Sequence, residues 1–265
     1  MELIDSLVAV LVLAALHIFA SKLRIIRQED HSPWLSFAGG VAVTYVFMVL
    51  LPKLSDWQVM AAQIQRDYLV NRALNPQELA AQSESFKKFL TYETFASALA
   101  GLVVFYGLER LVYWFKARQR KEYRENILIG GLFLVHISVF AAYNMLIGDM
   151  LVEIPGRLIL ILGVVAVGLH FLCVNHVLWR NYRQRFEIYG RWLLAAALFS
   201  GWLVGILFDF NKQVYIGMYS FVAGAIIMNV FNEELPSGPQ ARFWPFFFGV
   251  MGYSFLWFSI YRFLK

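Results

Sequence analysis

Long apolar stretches alternate with short polar ones along most of the 265 residues, and the lengths of the apolar stretches set the expected fold. Asn126 to Gly148 and Leu158 to Leu178 each run more than twenty residues without a formal charge. At about 1.5 Å per residue, either one crosses a hydrocarbon core of about 30 Å as a helix. The same reading along the rest of the chain predicts spans at 3–20, 31–52, 92–115, 126–148, 158–178, 192–208, 213–231 and 243–261. The expected fold is all-α: a polytopic integral membrane protein with eight transmembrane helices in a single domain, 1–265. Leu3 to Ala20 lacks the basic leader and small-residue cleavage site of a signal peptide, so it is read as the first span.

Residues 54–90 break the pattern, with Asp56, Arg66, Asp67, Arg72, Glu78, Glu84, Lys87 and Lys88 set among alanines and glutamines. Val59, Ile64, Tyr68, Leu69 and Leu74 give a loose helical stripe, and Asn75-Pro76 interrupts it. Pro52 and Lys53 are expected to close the second span. The segment after them is then an amphipathic helical hairpin on the extracytoplasmic side, either a lid over the bundle or a solvated spacer.

Composition agrees with the membrane reading. Hydrophobic residues make up 60% of the chain and charged ones 15%, against about 25% charged in a soluble domain. Net charge is +5, but Lys and Arg sit in short loops beside apolar stretches, which explains them without a nucleic-acid partner. Loops one, three and five hold three, five and four of them, and loops four, six and seven hold one each. The odd loops up to five are therefore expected in the cytoplasm, with both termini extracytoplasmic and the chain in an inner or plasma membrane. The single cysteine, Cys173, lies inside a span, so there is no disulfide or zinc-finger spacing to read.

Polar side chains within spans are the candidate chemistry, since they are costly in hydrocarbon and usually face a bundle interior. A short hairpin, Asp149 to Arg157, is expected to bring His136 and His170 to equal depth near the midplane. Cys173 and His176 follow His170 at three-residue steps, while Tyr143 and Asn144 share a face with His136. Such nitrogen and thiol groups suit zinc or another borderline-soft ion, and they serve equally as interhelical hydrogen-bonding or packing groups. His136, His170, Cys173 and His176 form the candidate metal set; Tyr143, Asn144, Asn175, Glu233 and Glu234 are candidate pathway residues. His17 and His31 carry less weight. With no glycine-rich phosphate loop and no Ser-His-Asp arrangement, the chain is not expected to be an enzyme.

Four stretches resemble the ZIP (ZRT/IRT-like) family of metal transporters. Leu35 to Pro52, LSFAGGVAVTYVFMVLLP, resembles the family's second-span signature, and ALAGLVVFYGLERL, ending near Glu109, resembles its third span. FVAGAIIMNVFNEELP is similar to the family's second copy of the second-span pattern. In the fourth and fifth spans, where the family carries His-Asn-x-x-Asp/Glu-Gly and a histidine-glutamate run, only His136 and His170 correspond. Phe140, Phe171 and Asn175 stand where carboxylates would be. The resemblance implies a ZIP-like eight-helix bundle that moves a divalent cation, zinc or a similar ion, by alternating access of repeats. The alternatives are a non-transporting ZIP-fold protein that binds a ligand or protein, and, lower, an intramembrane zinc hydrolase. Expected partners are the lipid bilayer, a divalent cation and a second copy in a homodimer.

Overall fold

The computed structural model describes residues 2–23, 33–71, 92–118, 122–154, 156–208, 211–235 and 242–263, and among them there is no strand. Their helices are α1 (Glu2–Phe19), α2 (Pro33–Tyr45), α3 (Leu51–Asn71), α4 (Glu93–Arg118), α5 (Glu122–Glu153), α6 (Arg157–Arg185), α7 (Arg191–Leu207), α8 (Lys212–Asn229) and α9 (Phe243–Phe263). Five described helical stretches are long and apolar enough to cross a membrane: Pro33–Tyr68, Glu93–Leu111, Gly130–Glu153, Arg157–Leu207 and Lys212–Asn232. Leu3–Phe19 is a shorter apolar helix. Large apolar side chains point outward along these helices, as on Glu93–Leu111, where Leu99 is 60% exposed. Rows of that kind are lipid-facing surface, and they identify an all-helical integral membrane protein.

Three π-turns are set into this helical path, at Val46–Leu50, Phe186–Gly190 and Val230–Glu234, and two of them change the expected boundaries. Pro52 does not close the second span, because α2, the first π-turn and α3 form one unbroken helix. The wider turn opens the backbone ladder just where the proline ring would otherwise strike the preceding carbonyl. The first arm of the expected hairpin is thus an extension of a span. Its buried stripe is Leu54, Trp57 and Ala61, whereas Val59 and Tyr68 are 56% and 53% exposed. Residues 72–91 of the second arm, like His31, lie outside the described residues. The basic loop expected around Arg180 to Arg191 is also helical: α6 bends at Tyr182 (φ −140°, ψ 38°) and passes through the second π-turn into α7.

Contacts divide the chain into two compact units. The first comprises Met1–Tyr45, Gly107–Asp209 and Asn229–Lys265, and the second Val46–Tyr106 and Phe210–Met228. In the first unit α5 packs most extensively on α7, and α2 on α9, with α1 lying against α5, α6 and α7. Both of the closest crossings are glycine seams. A Cβ on Gly201 would overlap the carbonyl oxygen of Met145, and one on Gly148 that of Leu198. Gly40 and Gly249 stand likewise against the backbone of Phe246 and Phe37. In lipid, where helices gain little from hydrophobicity by meeting each other, such backbone approach supplies the packing energy. In the second unit α4 and α8 use the same device. Gly101 stands against the Phe221 carbonyl and Gly224 against that of Ala98, and Ser97 Oγ donates to the Gly217 carbonyl at 2.7 Å.

These seams make a testable contrast. Gly201→Ala is expected to cost about 2–3 kcal/mol by overpacking against backbone that cannot yield. Gly131→Ala, whose new methyl would meet nothing within 4 Å, is expected to gain up to about 1 kcal/mol from helix propensity. Melting midpoints in one detergent should move in opposite directions.

Candidate functional site

The most completely buried polar group on α1 is His17, in the helix's last turn. Both of its ring nitrogens are hydrogen-bonded, Nδ1 to Asn175 Oδ1 of α6 at 2.8 Å and Nε2 to Asn144 Oδ1 of α5 at 2.9 Å. All three side chains are fully shielded from solvent, and the imidazole lies on the Phe171 ring with centroids 4.4 Å apart. Asn144 Nδ2 donates to the carbonyl of Phe140, one turn earlier, at 2.8 Å. Asn175 Nδ2 reaches the Leu16 carbonyl at 3.4 Å. A neutral imidazole donates through one nitrogen and accepts through the other, so one amide serves it as acceptor and the other must turn its NH2 toward the ring. Asn175, with the longer second bond, is the one that gives up less by turning.

Beside this node runs a file of rings between α5 and α6. Tyr182 lies edge-on to His136 with its hydroxyl 3.1 Å from Nδ1. His136 is followed by Phe140 at 5.8 Å, Phe140 by Tyr143 at 6.4 Å, and Tyr143 by His170 at 5.9 Å between centroids. His136 therefore faces Tyr182, and His170 faces Tyr143. Seven residues, about 10 Å of α5, separate His136 from the Tyr143 that His170 faces. The hairpin tip is shorter than the expected Asp149 to Arg157. α5 does not stop near Gly148 but continues to Glu153, and the reversal is made around Gly156, whose φ of +84° is available to glycine at little cost. Each added residue of α5 slides the register of the two helices.

The structure sorts the predicted residues into separate groups. Asn144 and Asn175, expected along a pathway, are brought together, with His17 between them. His136 and His170 stand apart in the ring file with Phe140 and Tyr143 between them, and Cys173 and His176 are buried on α6. Among the described residues no three His, Cys, Asp or Glu side chains are close enough together to hold a metal ion. The side chains of Glu233 and Glu234 lie outside the described ones. Two buried groups carry more than their sequence context indicates. His17 was visible only as one polar residue in an apolar run. Asp149, expected in a loop, is 5% exposed inside α5 and lies beneath Gly205 of α7. At the far end, Arg157 forks onto the Asp5 carboxylate at 2.6–3.2 Å, an exposed pair that adds little stability.

What this arrangement supplies is neutral hydrogen bonding enclosed by aromatic surface. Amide and imidazole groups satisfy one another, and no anionic oxygen stands in the node to compensate a dehydrated divalent cation.

His17→Ala removes a packed ring and strands two buried amides. The hydrogen bonds account for about 0.6 kcal/mol each between helices in a membrane, and the cavity dominates, for a total of about 2–4 kcal/mol. His17→Phe keeps most of the volume and should cost less, about 1–2 kcal/mol. Unfolding in mixed detergent micelles would rank the two; equal stability of all three proteins would mean that the node carries no weight.

Compared with known protein families, with curated proteins and with solved structures, the chain finds no match in any of the three.

Proposed function

We propose that this chain is a ZIP-like membrane transport protein with eight spans and extracytoplasmic termini, in which inward movement of a divalent cation such as zinc has become slow or been lost. The observation that carries the reading is a repeated element. Val46-Phe47-x-x-x-Leu51-Pro52 recurs as Val230-Phe231-x-x-x-Leu235-Pro236, and the first five residues of both copies form a π-turn. Each copy is preceded by a glycine pressed onto a neighbouring helix backbone, Gly40 in one and Gly224 in the other. Recurrence of one helix pattern, with its π-turn, in two places suits a transporter built from repeats. Both π-turns also fall within two residues of the positions where the chain passes between its compact units.

The loss of cation handling follows from the chemistry of α5 and α6. Phe140 and Phe171 are 5% and 0% exposed, so the positions that would bear carboxylates are filled by rings. Transport of a hard or borderline cation needs ligands that both neutralise and release it. This core also supports a second reading, a non-transporting ZIP-fold protein whose surface binds a ligand or protein partner.

In sealed proteoliposomes the purified chain is expected to take up zinc no more than a few-fold faster than protein-free vesicles leak it, with less than one metal ion per chain after purification without added metal. Fast, saturable uptake that His136→Ala or His170→Ala abolishes would overturn the proposal.

A further inference from the structure

The connector between α6 and α7 joins two antiparallel helices without an irregular loop, and its two faces differ in chemistry. The inward face is fixed to α5. Tyr182 bonds to His136, Phe186 is fully buried, and a Cβ on Gly190 would crowd Phe186 and reach Ile137 and Phe133. The outward face carries Arg180 and Arg183, both exposed, with Ile188, Tyr189 and Trp192 at 51%, 65% and 52% exposure. Arg185 lies against Gly130 and Arg191 donates to the Ile18 carbonyl at 3.2 Å, so of the four arginines between Trp179 and Trp192, Arg180 and Arg183 are the two that face outward. The same stretch has one acid. That acid, Glu187, is half-buried and accepts the indole N–H of Trp179 at 3.0 Å. The Arg183 guanidinium lies over the same indole at 4.9 Å, and that of Arg191 over Trp192 at 5.3 Å.

We infer that this connector is a binding site for the headgroup of an anionic phospholipid. The chain crosses a membrane, so a helix end that exposes tyrosine, tryptophan and isoleucine beside arginines stands at the level of the headgroups, where amphipathic rings are most stable. Arginines attract anionic lipid at that level, and a guanidinium fork matches a phosphate oxygen pair. Stacking on the Trp179 indole orients the Arg183 guanidinium plane before the lipid arrives, which reduces the entropy lost on binding. The burial of Tyr182 and Phe186 keeps the connector in place. Two exposed guanidinium groups, on Arg180 and Arg183, select an anionic headgroup over a zwitterionic one, and the exposed isoleucine and rings select a lipid over a free anion.

The test uses the full chain in detergent, titrated with phosphatidylglycerol or phosphatidylcholine and followed by native mass spectrometry and melting. Phosphatidylglycerol should remain bound and raise the midpoint, whereas phosphatidylcholine should do neither. Arg180→Gln with Arg183→Gln should weaken retention about twenty-five-fold, at roughly one factor of five per arginine near a charged surface, with the midpoint in phosphatidylcholine unchanged. Arg180→Lys with Arg183→Lys should keep most of the binding. Equal retention of both lipids, undiminished retention by the glutamine variant, or the same stabilisation by millimolar inorganic phosphate would each overturn the assignment.

Discussion

A polar side chain inside a bundle surrounded by hydrocarbon has no water to turn to, and its partners must come from neighbouring helices. In the first unit that demand is concentrated at His17. Satisfying both nitrogens of one ring requires an amide from α5 and another from α6 within about 3 Å of the same imidazole, which sets how each of those helices is turned about its own axis. Once α5 and α6 are turned so, Phe140, Tyr143 and Phe171 are carried to the same interior, and a dry aromatic core results from a hydrogen-bonding requirement.

Close helix approach is the second half of the arrangement. Gly148, Gly201 and Gly205 let α5 and α7 meet backbone to backbone, so α1 can lie against both and still deliver His17 to its partners. Small residues and buried amides act together here. The seams fix distance, and the His17 node fixes rotation. Neither contributes much energy per contact, since interhelical hydrogen bonds in membranes average well under 1 kcal/mol, but each removes a different freedom.

The apolar stretches were legible because span length and the cost of charge in hydrocarbon act on every residue alike. Helical segments stand where the sequence places its apolar stretches, with boundaries displaced where a local signal was outweighed. Pro52 reads as a terminator, and a π-turn just before it makes it harmless. Arg180 to Arg191 reads as a loop because of its charges, yet Arg180 and Arg183 occupy the outer face of a bent helix whose inner face carries Tyr182, Phe186 and Gly190. The candidate site was legible only as a set of separate residues. Asn144 and Asn175 are ordinary in sequence, and their meeting at His17 depends on the register of the α5–α6 hairpin, which moves with each residue assigned to its tip. Asp149 was misplaced for the same reason.

The π-turn at Phe186–Gly190 also fixes the angular phase of α7. Each residue of an α-helix advances the chain by about 100°, and a π-turn is the trace of one residue added to a regular helix. Without that residue, α7 would begin rotated by about that angle, and the face bearing Gly201 and Gly205 would point away from α5. A bulkier side of α7 would then meet Met145 and Gly148. The irregular turn at one end of the helix is therefore what aims the glycine seam near the other end, and the two features must be inherited together.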